Sequence, residues 1–159
     1  MLQRMYNVHM DDKERVRLLL QRVMGYFVLD ETATGWHTPH FAKGLNAPAG
    51  FHWPIAFWNT DSECWMTRDI ATDPTVFDPL HDMNDAWQVL RRMAEQEFEE
   101  VRSAFAYRLG VTFATPEGFD TFTANLDQLA SWTSEKICLA ALQVLTSTDL
   151  QFQNADKGI

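Results

Sequence analysis

The chain has 159 residues with 46% hydrophobic content, the length of one compact domain able to bury roughly 70% of the surface its unfolded form would expose. Its 22 acidic against 13 basic residues give a formal charge of -9, which argues against a nucleic-acid partner held through its phosphates. Cys64 and Cys138 form no CxxC pair and suggest no disulfide framework. The stretch from Met1 to Met10 is broken by Gln3, Arg4, Asn7 and His9, unlike the core of a signal peptide. No run of about 18 apolar residues offers a membrane span, so a single cytoplasmic domain over 1–159 is expected.

In chain order, Asp11 and Asp12 precede Val16, Leu19, Leu20 and Val23, whose spacing predicts a helix over 12–24 ended by Gly25 in a positive-φ conformation. Tyr26 to Leu29 then reads as a short strand. From Thr32 to Ala49 the density of Gly, Pro and Asn predicts an irregular loop, the kind of segment where sites usually sit. The aromatic run Phe51 to Trp58 and the segment Cys64 to Arg68 predict a hairpin, with Pro54 confining the first strand to an edge or a bulge. Asp73 to Pro79 reads as a second irregular connection.

The most distinct start signal follows. Asp82, Asn84 and Asp85 supply acceptors and negative charge to a first turn, and Ala86, Val89, Leu90 and Met93 make an apolar stripe with Trp87 at its border. Phe98, Val101, Phe105 and Leu109 continue the helical spacing, while Val101, Ser103, Phe105, Tyr107 and Leu109 also alternate as a strand would; the helix formers Ala94, Glu95, Glu97, Glu99 and Glu100 favour one long helix over 82–109, bent near Gln96 and stopped by Gly110, over a strand within 96–109. Val111 to Ala114 and Phe119 to Thr123 read as short strands about a turn at Thr115 to Gly118. A last helix over 134–146, capped by Thr133 or Ser134, buries Ile137, Cys138, Ala141, Leu142 and Leu145. The expected class is α+β, with a small antiparallel sheet, three main helices, a core over about 12–146 and a frayed polar tail at 147–159.

No nucleophile elbow, phosphate loop or dinucleotide fingerprint is present. The tryptophans and phenylalanines between residues 36 and 65 exceed what one small hairpin needs, so Trp36, Trp53 and Trp58, with Arg68, make the sharpest binding candidate. His37, His40, His52 and Asp61 are the minor candidate for a metal site, though Pro39 breaks the His37–His40 pair and no hydrolase spacing is present. Glu95 to Glu100 reads as a solvated face, and Asp82 and Asp85 as helix-start residues. No cofactor is indicated.

Three landmarks in order, Arg22-Val23-Met24-Gly25-Tyr26, Pro79-Leu80-His81-Asp82-Met83-Asn84-Asp85-Ala86-Trp87-Gln88-Val89 and Lys136-Ile137-Cys138-Leu139-Ala140-Ala141-Leu142, resemble the phage ABA-sandwich domain family over about residues 14–145. The sequence departs from that pattern at His81, where the family tends to place Ser-Thr before the Asp, and in the Glu-rich segment after Met93. The resemblance implies a layered α/β/α sandwich of bacteriophage or prophage origin, and it carries no catalytic residues. The expectation is a small phage-encoded, non-enzymatic protein of the host cytoplasm that binds a host protein or a small signalling ligand, as in counter-defence, without nucleic acid or membrane and with room for homo-oligomers. The alternatives are a metal-dependent hydrolase or nuclease built on the loop histidines and Asp61, and an acidic structural or DNA-mimic protein.

Overall fold

The computed structural model describes residues 10–29, 50–114 and 121–147. The first helix, α1 (Asp12–Leu18), starts where Asp11 accepts the Glu14 amide at 2.9 Å, satisfying a donor that a first turn leaves unpaired. It continues into a π-helical segment, Leu19–Val23, in which the Met24 amide reaches the Leu19 carbonyl at 2.9 Å. Leu19, Leu20 and Val23 are all fully buried along this turn. Gly25 then takes φ 73, the left-handed exit expected from its place after the apolar stripe, and the Tyr26 amide bonds the Leu20 carbonyl.

Strands β1 (Phe27–Val28), β2 (Ile55–Asn59), β3 (Cys64–Arg68) and β4 (Thr75–Val76) lie side by side in that order. The predicted hairpin is β2 and β3, paired antiparallel from Ile55 opposite Arg68 to Asn59 opposite Cys64. Asn59 turns the chain by accepting the Asp61 and Ser62 amides on its side-chain oxygen, at 3.0 and 3.2 Å. Pro54 stands just before β2, so its missing N–H is not asked of the ladder, and its carbonyl accepts the Phe27 amide. Two expectations need correction. The sheet is mixed, because β1 runs parallel to β2, and the connection over 30–54 is long enough for the crossover that parallel pairing requires. The segment at Thr75 and Val76, read as an irregular connection, is an edge strand that pairs with Met66 and Thr67.

The long predicted helix is two helices, α2 (Met83–Ala94) and α3 (Glu99–Leu109). Winding stops at Glu95, whose φ and ψ are -96 and 3, and Phe98 is extended at φ -89 and ψ 128. Polar groups stabilise the break: the buried Gln96 amide donates to the Arg92 carbonyl at 3.2 Å, and Arg102 donates to the carbonyls of Gln96 and Glu97. Gly110, at φ 78, closes α3 with its amide on the Tyr107 carbonyl and the Val111 amide on the Ala106 carbonyl, a Schellman motif. A separate two-stranded ribbon, β5 (Thr112–Ala114) with β6 (Thr121–Thr123), leads to a short helix α4 (Leu126–Ala130) and the last helix α5 (Ser134–Leu145). Thr133 caps α5 by accepting the Lys136 amide.

Helices α1, α2, α3 and α5 bury their apolar stripes in one core that also takes Ala56 and Trp65 from the sheet. Here α2 and α3 both lie against α5, whose small Ala140 and Ala141 allow close approach. The segment entering α2 is tied to α5 by Ser134 Oγ donating to the Leu80 carbonyl at 2.7 Å and by the Cys138 thiol donating to the Pro79 carbonyl at 3.2 Å. The opposite sheet face carries a smaller cluster of Leu29 and Ile55 with Phe27, Phe51, Trp53 and Phe57. No helical residue contributes to it among the described residues, so the second helical layer of a sandwich is not seen there. The class is α+β. No helix among the described residues is long and apolar enough to cross a membrane.

Candidate functional site

Strand alternation separates the aromatic residues that the sequence grouped. Along β2, Ile55 and Phe57 face the smaller cluster while Ala56 and Trp58 face the helices. Trp53 and Arg68 do meet, with the guanidinium carbon 5.4 Å from the indole centroid. Arg68 is only 4% exposed, and its Nε donates to the Thr72 carbonyl at 2.9 Å. Its charge therefore anchors the β3–β4 turn and backs Trp53. Trp58 packs on the other face, edge-on to Trp65 at 5.5 Å, with the Lys13 ammonium 4.7 Å from its ring. Trp65 in turn donates its indole N–H to the Lys13 carbonyl at 3.0 Å, joining sheet to α1. Trp36 lies outside the described residues, and the other three candidates are placed as one pair, Trp53 with Arg68, and one separate packing residue, Trp58.

His37 and His40 also lie outside the described residues. His52 is exposed, with its ring edge-on to Phe27 at 5.5 Å, and Asp61 is an exposed turn residue. Among the described residues no group of three or more His, Cys, Asp and Glu side chains converges as a metal site would.

Titratable groups gather at the entry to α2. His81 Nδ1 lies 2.9 Å from one carboxylate oxygen of Asp78, and that hydrogen bond with the negative charge raises the imidazole above its ordinary value. Asp85 accepts the Asp78 amide at 2.9 Å, yet partial burial holds its carboxyl above the usual range. Burial also pushes the Cys138 thiol up to about 12, far from the thiolate a nucleophile requires. Together these groups build a helix entry.

An apolar cleft among the described residues lies elsewhere, on the side of α2 next to its core stripe. Ala86, Val89 and Met93 point into the core; one residue further round, Trp87, Leu90 and Ala94 line a cleft of about 250 Å3. Phe105 and Leu109 of α3 form its floor, and the Schellman turn at Gly110 brings Val111 in beside them. The remaining wall is Ala124, Leu129 and Trp132.

That wall is held by polar groups outside the cleft. Asn125 and Gln128 form a capping box at the start of α4, each side chain accepting the other's backbone amide at 2.8 Å. Gln128 also donates its side-chain amide to the Gly110 carbonyl at 2.6 Å, fixing α4 against the end of α3. The indoles of Trp87 and Trp132 lie 6.0 Å apart, tilted by 55°. Trp87 and Leu129 remain 40% and 43% exposed, which places them at the mouth.

The sequence marked Trp87 as the border of a stripe but placed Leu90 with the core, and it singled out neither Leu129 nor Trp132. The available signal was the surplus apolar residue beside each core position of α2. The fold and cleft define a small α+β domain with a preformed apolar recess. Comparison with protein families, curated proteins and solved structures finds no match to this chain.

Proposed function

We propose that this chain is a non-enzymatic binding protein whose ligand site is the apolar cleft between α2, α3 and α4. The observation that carries the proposal is the cleft itself: about 250 Å3 of recess lined by apolar side chains, with two tryptophans in its walls and one of them at its mouth. Exposed apolar surface is costly to keep, and rigid aromatic anchors are the residues that binding sites favour. The frame around the cleft is built from helix ends fixed by hydrogen bonds, so little ordering is needed when a ligand enters.

The order of the landmarks from Arg22 to Leu142 supports a phage or prophage origin within the ABA-sandwich family. In that setting the protein works in the bacterial cytoplasm, and capture of a small signalling ligand or of a host protein serves counter-defence. A fragment library of neutral apolar compounds, screened by saturation-transfer NMR against the full chain and an Ala94→Leu variant, tests the site. Fragments that bind the parent chain and lose binding when the larger side chain fills the recess support it. Fragments that bind both proteins equally, or none that bind, refute it.

A further inference from the structure

Strand β3 carries Cys64 and Met66 two residues apart, so the strand repeat puts both side chains on one side of the sheet. Their sulfurs lie 3.7 Å apart, with the thiol donating to the thioether. Neither residue is sealed from solvent, since both are half-buried. The backbone beneath them is held by the ladder: Cys64 pairs with Asn59 across the hairpin, and Met66 pairs with Phe57 on one flank and Val76 on the other. A third group adjoins the two sulfurs. Ser62 Oγ stands 3.1 Å from Cys64 Sγ, and the Asn59 side chain that accepts the Ser62 amide fixes the turn that bears it. None of these residues lines the apolar cleft.

A thiolate beside a thioether is a soft donor pair, and such pairs select copper(I). With metal–sulfur bonds of about 2.3 Å, sulfurs 3.7 Å apart subtend an angle of about 107° at one shared ion, which the two side chains can offer without moving apart. We propose that Cys64 and Met66 chelate a soft monovalent cation, copper(I), with Ser62 supporting the bound sulfur. On binding, the Cys64 S–H bond breaks and its proton passes to solvent; the thiolate and a thioether lone pair each form a bond to the ion, and no electron is transferred. Loss of that proton ends the thiol–thioether hydrogen bond and frees the Met66 sulfur for the metal. The Ser62 hydroxyl is then placed to donate to the bound thiolate, as groups around a metal ligand commonly do. The other thiol of the chain, Cys138, is buried and donates to the Pro79 carbonyl, so it does not compete.

The probe is copper(I) presented without oxygen as its violet bicinchoninate complex, with ascorbate keeping it reduced. The full chain is expected to withdraw one equivalent, read as loss of colour. The same addition should shift the Met66 methyl signal in NMR, assigned through its cross-strand neighbours Phe57 and Val76. Cys64→Ser should withdraw no copper. Met66→Leu, a volume-conserving change at a half-buried position, should bind about tenfold more weakly. Unchanged affinity in Met66→Leu, or a Met66 methyl signal that does not move, would overturn the chelate and leave adventitious binding by a thiol. Uptake that persists in Cys64→Ser, or no uptake by the parent chain, would overturn the site altogether. The methyl signal is read in the parent chain, so it decides the matter even if a variant fails to fold.

Discussion

Helix α2 presents its two apolar stripes to different surroundings, and truncating one residue of each separates stability from recognition. Met93 is fully buried between α2 and the rest of the core, so Met93→Ala removes its transfer free energy and leaves a cavity, a loss of about 2–5 kcal/mol. For a domain of this size each kcal/mol lowers Tm by roughly 2–4 °C, so a loss near the middle of that range shifts Tm by about 7–14 °C. Trp87 is 40% exposed and shares its ring contact with Trp132. Trp87→Ala should cost less, about 1.5–3 kcal/mol, the sum of partial burial and one aromatic pair. Urea unfolding followed by far-UV circular dichroism reads both, with m values matching the parent chain. Ligand titration should then show the opposite order, Trp87→Ala losing binding and Met93→Ala retaining it where folded. A Trp87→Ala loss equal to or greater than that of Met93→Ala would refute the division of the helix into a structural and a recognition stripe.

Further outcomes follow from the same geometry. The His81 imidazole, raised by Asp78, should titrate above its ordinary value of 6.5 in NMR, and Asp78→Asn should return it toward that value; an unchanged midpoint would contradict the pair. Because the folded value is the higher one, the stabilisation from this pair is complete below about pH 6.5 and is lost as pH rises through the folded value. Thiol labelling of the native chain should modify Cys64 and spare Cys138, which is buried and shifted up to about 12, with both reacting after denaturation; two fast native thiols would contradict its placement. Gly110→Ala should lower stability by about 1–2 kcal/mol through its positive φ alone, since an added Cβ meets nothing within 4 Å, and Gly110→Asn should cost less in the same unfolding assay.

The elements that the sequence revealed are those with strong local punctuation. Asp11, Gly25, Gly110 and Thr133 act on backbone groups only a few residues away, and each ends or starts a helix where its chemistry demands. The break between α2 and α3 was less legible because its stabilising contacts come from Gln96 and Arg102, residues that are otherwise good helix formers. Strand β4 has two residues, too few for an alternating pattern, and exists because β3 offers it an edge. The same limit applies to the site. Trp53, Trp58 and Arg68 share a short stretch of sequence but are divided by the two faces of the sheet, whereas Trp87 and Trp132 are far apart in the chain and meet only through packing of α2 and α4 around α3.

The neighbouring stripes of α2 also bear on how such a domain can change over generations. Ala86, Val89 and Met93 are constrained by every helix they touch, while Trp87, Leu90 and Ala94, each one residue further along, face a recess with space to spare. Substitution in the second set can resize or reshape the guest without refolding the host. A one-residue insertion near Met83 would instead turn the remaining helix by about 100°, carrying Ala86, Val89 and Met93 round to the recess and bringing Asp85, Gln88 and Arg92 to the core positions. Point changes in this helix therefore offer a route to new ligands, and length changes are closed to it.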